Sequence, residues 1–193
     1  WGYQEESWLI RADRVEYWED IVEVLFKTEY RRVNSGGTLG VYLTCIDSGF
    51  RTDEVYRFCR HWRDKTKAIK GLEEISGGRF YRANKIDINS RTGSVLPGGL
   101  VLWNLNVTQY KDKLNRMVTS VNPAKWHLFR NPEDDYLRQF TAEHKVLIRN
   151  RTTGKAKEVW QKKKEAAANH YLDAEVYALA AADIIRALNI RKE

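Results

Sequence analysis

The sequence predicts an α/β domain, and three neighbouring features predict it. Residues 41–46 form an apolar, β-branched run that ends on Asp47 and is broken by Ser48-Gly49. Val55, Phe58, Cys59 and Trp62 then fall at i, i+3, i+4 and i+7, the stripe of an amphipathic helix. Residues 67–70 make a short second run stopped by Gly71. Strand, helix and strand at this spacing form a β–α–β unit, the connection that parallel strands need.

The other elements follow in order. Trp8 and Ile10 alternate with polar neighbours and predict a strand over 6–13, and Val15, Trp18, Val22 and Leu25 predict a helix over 15–26. Residues 34–40 read as a flexible glycine loop. The run at 41–46 lacks alternation, which predicts a central strand buried on both faces. Thr52 is the expected N-cap of the following helix, with Asp53 and Glu54 in its first turn. Residues 80–105 break at Arg91-Thr-Gly-Ser and Pro97-Gly-Gly and read as β-hairpins. Helices are expected over 108–118 and 134–143, a strand over 145–148, a turn at 152–154, and a last helix from Ala166 or Asp173 to about Leu188. No repeat or linker divides the 193 residues, so one domain, 1–193, is expected.

Composition narrows the classes. No apolar stretch nears the roughly 18 residues of a membrane span and no signal peptide is visible, so a soluble chain without membrane contact is expected. Cys45 and Cys59 lie in a strand and on a helix stripe, outside any zinc spacing, which favours structural thiols and a reducing, intracellular compartment. The net charge of +7 is local: residues 145–164 hold eight basic residues against the single acid Glu158, and the rest of the chain is balanced. Such a stretch suits a polyanion or a solvated face about equally. Gly154-Lys155 is followed by Ala156, so no phosphate-binding loop of the ATPase type is present; GxSxG and HExxH are absent too.

Two aspartates are placed for chemistry. Asp47 stands at the carboxyl end of a strand, where open α/β sheets bind ligands; capping the turn at Gly49 is its alternative role. Asp173 shares a helix stripe with Val176, Tyr177, Ala180 and Ile184, and an inward carboxylate needs a partner. A metal would be one partner and the helix dipole another.

The blocks Thr44-Cys-Ile-Asp-Ser-Gly-Phe-Arg-Thr-Asp-Glu-Val-Tyr-Arg-Phe-Cys-Arg60, Ala68-Ile-Lys-Gly71 and Asn169-His-Tyr-Leu-Asp-Ala-Glu-Val-Tyr-Ala-Leu-Ala-Ala-Ala182 together resemble the C-terminal nuclease domain of lambda-like phage terminase large subunits. Weaker echoes occur around Trp8, at 107–114 and at 136–143. The resemblance implies an RNase H-like mixed sheet flanked by helices, with a β-hairpin insertion, and metal-dependent cleavage of double-stranded DNA during viral genome packaging. It implies Asp47 and Asp173 as catalytic, metal-binding acids for Mg²⁺ or Mn²⁺, with two ions in the general scheme. Lys70, Lys155, Lys157, Lys162, Lys163 and Lys164 become candidate DNA contacts. Implied partners are duplex DNA, a small terminase subunit, a portal protein and the ATPase domain of the same polypeptide, in the host bacterial cytoplasm. The family's first catalytic aspartate lies upstream of the segment matching Trp1-Gly2, so a third acid is expected outside these residues. A DNA-binding or motor-docking module without activity is the competing reading. A resolvase or transposase fits the aspartates but not their flanking motifs.

Overall fold

The computed structural model describes residues 1–33, 36–89, 91–121, 123, 125–149, 152 and 154–190. Asn34 and Ser35 of the glycine loop, Arg151 of the basic stretch and Thr153 of the expected turn lie outside them. In chain order the elements are β1 (Ser7–Trp8), α1 (Trp18–Phe26), β2 (Tyr30–Arg31), β3 (Thr38–Leu39), β4 (Thr44–Asp47), α2 (Thr52–His61), β5 (Thr66–Leu72), β6 (Tyr81–Ile88), β7 (Val95–Asn106), α3 (Val107–Thr119), β8 (Trp126–His127), α4 (Asp134–Phe140), β9 (Glu143–Arg149), β10 (Ala156–Lys162) and α5 (His170–Ile184). They pack as two compact units. A sheet unit comprises 13–106 and 180–185, and a ribbon unit comprises 1–12, 107–179 and 186–193.

The sheet unit carries the mixed sheet, in the order β4-β5-β7-β6. Strands β4, β5 and β7 run parallel and β6 runs antiparallel to β7. The expected β–α–β unit is therefore present as β4–α2–β5. Its stripe drives the packing: Val55, Tyr56 and Cys59 of α2 bury against Ala68 of β5 and Leu96 and Leu100 of β7, with Ile46, Trp18, Ile86 and Leu102 at the margin. Helix α1 is held to α2 by the Trp18–Phe58 stack, 4.6 Å between ring centres, and by Trp18 Nε1 donating to Glu54 at 3.1 Å. Lys65 closes the base of the unit by donating to the carbonyls of Leu25 and Val41.

Several expectations are corrected here. Strand β4 is not central: among the described residues it pairs with β5 alone, at the edge of the sheet. Only Thr44–Asp47 enters the ladder, and Tyr42 in the same apolar run is 75% exposed. Thr52 is not the N-cap. Arg51 takes that position in the left-handed region (φ 52°, ψ 41°), and the Thr52 hydroxyl donates back to the Ser48 carbonyl at 2.8 Å. Gly71 does not stop β5, because it pairs in register with Leu105. Residues 38–39 of the expected loop form β3 and pair with β2. Residues 80–105 make one long hairpin, with Pro97-Gly98-Gly99 inside β7.

The ribbon unit is built on α3, which buries Tyr110, Lys111, Leu114 and Met117. Strands β9 and β10 form an isolated antiparallel ribbon from Glu143↔Lys162 to Arg149↔Ala156. The expected strand at 6–13 shrinks to β1, which pairs in parallel with β8. Trp8 stacks on His127, and Lys113 pairs with Glu5 at 2.7 Å. Helix α4 ends three residues before Glu143, which instead opens β9. Helix α5 starts at His170, placing Asp173 inside its first turn. Among the described residues no helix is long and apolar enough to cross a membrane.

Gly99 illustrates a local demand on sequence. Its φ is +70°, the ladder shifts between Ile86 and Ile88 beside it, and an added Cβ would lie 2.6 Å from Asp87 Oδ1. The Asp87 and Lys85 side chains are exposed and can swing away, whereas the Ile86 carbonyl oxygen, 3.3 Å from that Cβ, must give slightly, which adds to the backbone term. Gly99→Ala is expected to cost about 1–2 kcal/mol, the usual penalty for a left-handed L residue, read as a lower urea midpoint with an unchanged slope.

Candidate active site

In the sheet unit, Asp47 is the last residue of β4 and is exposed. The loop after it is fixed mainly by backbone. Ser48, 4% exposed, donates to the Ile69 carbonyl through both its amide (2.9 Å) and its hydroxyl (2.7 Å). Asp47 Oδ1 accepts the Gly49 amide at 3.0 Å, so the turn-capping role is realised. Among the described residues this carboxylate makes no other hydrogen bond. The hairpin tip between β6 and β7 is tied to the same loop: Arg91 donates to the Gly49 carbonyl, and Asn89 donates to Asp53 at 2.5 Å. Asp47 pairs in register with Ile69, so Lys70, one residue on, leaves the sheet by the opposite face. Asp47 and Lys70 are therefore not brought to one surface of the sheet.

In the ribbon unit, Asp173 joins a network absent from the sequence reading. Lys111 Nζ lies 2.7 Å from Glu143 Oε2 and 3.7 Å from Asp173 Oδ1. The Asn169 amide donates to Glu143 Oε1 at 2.7 Å and to Asp173 Oδ2 at 3.1 Å. The side chains of Glu143 and Lys111 are 6% and 10% exposed, whereas that of Asp173 is 32% exposed. The partner that an inward carboxylate requires is thus an ammonium and an amide. Sequence reasoning missed Lys111 and Glu143. The signal was a lysine between Tyr110 and Leu114 on the buried side of α3, where a charge has to be met by an opposite one.

The basic stretch forms β9, β10 and the residues after them. Lys155, Lys157, Lys162, Lys163 and Lys164 are all exposed, but they do not share one face. Cross-strand partners point the same way. Lys162 therefore sides with Glu143, Lys145 and Trp160, towards α3, while Lys157 sides with Ile148 on the other face. Lys145 is engaged within the protein: it pairs with Glu158 at 2.8 Å and Asp112 at 3.1 Å, which hold its ammonium above the usual lysine range. Trp160 donates to the same Asp112 at 2.8 Å. Lys163 lines a cavity of about 220 Å³ together with Lys111 and Glu143, and its amide donates to the Ala142 carbonyl.

By donor type alone, the two candidate aspartates suit a hard divalent cation. The accessible oxygens at both candidate positions are carboxylates, which Mg²⁺ and Mn²⁺ prefer. Among the described residues, no three His, Cys, Asp or Glu side chains gather into a metal-binding group.

A family model described as "Terminase large subunit gpA, endonuclease domain" matches residues 1–192. No curated protein and no solved structure matches the chain.

The thiols stand apart from this chemistry. Cys45 and Cys59 are free, and burial pushes the Cys59 thiol from its ordinary 9.0 up to about 11. Below pH 9 the thiol is neutral whether the chain is folded or not. Between pH 9 and about 11 only the unfolded chain ionises, so stability falls as pH rises, by roughly 1.4 kcal/mol per unit for this group. Cys59→Ala is expected to flatten the fall in urea-unfolding free energy over that window, and an equal slope in the two proteins contradicts the assignment.

Proposed function

The chain belongs to the endonuclease-domain family of terminase large subunit gpA, a nuclease of genome packaging, and we propose that it hydrolyses duplex DNA with Mg²⁺ or Mn²⁺ held by Asp47 and Asp173. The observation that supports the site is the Asp173 carboxylate: each of its oxygens has a partner, Lys111 at 3.7 Å and Asn169 at 3.1 Å, and it remains part-exposed. Asp47 supports it by being an exposed carboxylate on a loop pinned to β5. The sheet order, with three parallel strands and one antiparallel, agrees with an RNase H-like fold.

The divalent ions, two in the general scheme, would supply activation of water and stabilisation of the leaving oxygen. The residues themselves do simpler work. Asp47 and Asp173 present hard oxygens, Ser48 and Gly49 fix the direction of the first, and the exposed lysines of the ribbon meet the DNA backbone. Lys155, Lys157 and Lys162 to Lys164 are the candidate phosphate contacts, of which a duplex on one face of the ribbon meets a subset, and Lys70 is assigned to a contact on the α2 side of the sheet. Such contacts are largely independent of base sequence. The small terminase subunit, the portal protein and the ATPase domain of the same polypeptide are the packaging partners of this reading, in the cytoplasm of a bacterial host.

Plasmid nicking with Mg²⁺ or Mn²⁺ tests the site. Asp47→Ala and Asp173→Ala are each expected to lower the rate at least a hundred-fold relative to the parent protein. Undiminished nicking by both removes the assignment. Duplex binding without nicking, with either ion, by a protein extended upstream to include the expected third acid identifies the docking module instead. For the ribbon, charge reversal at Lys162, Lys163 and Lys164 is expected to weaken duplex binding and to flatten the salt dependence, by about 0.9 in log–log slope per lost phosphate contact. An unchanged slope in a fluorescence anisotropy titration places the DNA elsewhere.

A further inference from the structure

We infer that Lys111, Glu143 and Asn169 are positioning residues that hold the Asp173 carboxylate for its cation; the inference rests on the assignment of Asp173 made above. The geometry is a closed ring. One ammonium serves Glu143 Oε2 and Asp173 Oδ1, and one amide nitrogen, with two hydrogens to give, serves Glu143 Oε1 and Asp173 Oδ2. Each oxygen of Asp173 thereby has a partner, Oδ2 through a hydrogen bond and Oδ1 through an ion pair, and the two together restrain the rotation of the carboxylate plane. The exposure is graded in the matching sense: Glu143 and Lys111 are buried and Asp173 is the outer member.

The ring also has a charge consequence. A lone buried Lys–Glu pair is neutral. Here one ammonium faces two carboxylates, so these four side chains carry a net negative charge whose accessible end is Asp173. Three separate pieces of chain supply the holders: α3 gives Lys111, the start of β9 gives Glu143, and the residue before α5 gives Asn169. Partners that orient a metal-ligating carboxylate in this way alter metal affinity roughly ten- to a hundred-fold when removed.

The test measures Mn²⁺ binding to the chain by electron paramagnetic resonance, alongside thermal melting. Lys111→Met combined with Glu143→Gln removes both charges of the pair at similar volume, so neither is left buried alone. This protein is expected to melt within a few degrees of the parent yet to bind Mn²⁺ at least ten-fold more weakly. Asn169→Ala leaves the ion pair intact, is expected to shift affinity the same way, and decides the question if the double variant fails to fold. Lys111→Arg is expected to recover most of the affinity. Asp173→Asn is the reference. If it weakens Mn²⁺ binding while the holder variants stay within two-fold of the parent, the positioning role is overturned and the site survives. If it leaves Mn²⁺ binding unchanged, the site assignment and this inference fall together.

Discussion

A lysine and a glutamate are buried against each other where α3 meets the start of β9, and the ribbon unit is arranged to keep them paired. Removing one member of such a pair leaves an uncompensated charge, at a cost of about 3–5 kcal/mol. Each neighbouring element answers that constraint. Tyr110, Leu114 and Met117 bury one side of α3 and carry Lys111 inward with them. Lys162 and Lys163 close the ladder on Glu143 and Ala142, so the glutamate opens β9 instead of ending α4. Asn169 then reaches Glu143 from the other side and brings the first turn of α5, with Asp173, into the same network. An apolar trio of similar volume would hold these elements together at least as well. It would not present a carboxylate with both oxygens oriented, and that difference is the physical reason to read the pair through Asp173.

The sheet unit handles its aspartate by the opposite route. Asp47 is exposed at the end of a strand, so water solvates its charge and no counter-ion is required. What it needs is direction, and backbone supplies it. The Ile69 carbonyl takes two hydrogen bonds from Ser48, and the Gly49 amide turns back onto Oδ1. Arg51 absorbs the resulting bend in the left-handed region before α2 begins, with its guanidinium on Glu54 at 2.8 Å. A part-buried carboxylate held by side chains and an exposed one held by a backbone amide are two solutions to one problem, chosen by burial.

This contrast also explains what the sequence revealed. The crossover was legible because period and punctuation are local: Val55, Phe58 and Cys59 announce α2, and Ile46 and Ala68 mark the strands it covers. Asp47 was legible for the same reason, since strand end and turn residues adjoin it. The rank of β4 in the sheet was not, because an apolar run records hydrophobicity and not the number of neighbouring strands. Lys111 and Glu143 were invisible as a pair, being 32 positions apart and joined only by the fold. Asp173 fell between these cases: its stripe showed that a partner was needed, but not that Lys111 and Asn169 would be the ones.

The basic stretch shows how far a charge count can mislead even where its location is right. Along the chain, residues 145–164 read as one block of eight cations. In the ribbon, period two sends Lys157 and Lys162 to opposite faces, and Lys145 is claimed by Asp112 and Glu158. A duplex laid along either face therefore meets only a subset of these cations, together with Lys163 and Lys164 beyond the strand end. Counterion release depends on the phosphates actually neutralised, so the relevant number is set by the pleat and not by the composition. Along the ribbon's α3-facing side Trp160 and Lys145 are already bonded to Asp112 of α3, so what that side can offer a duplex is its end. That end carries Lys162, Lys163 and Lys164, and Lys163 borders the cavity shared with Lys111 and Glu143, so a backbone bound there would lie close to the network that orients Asp173.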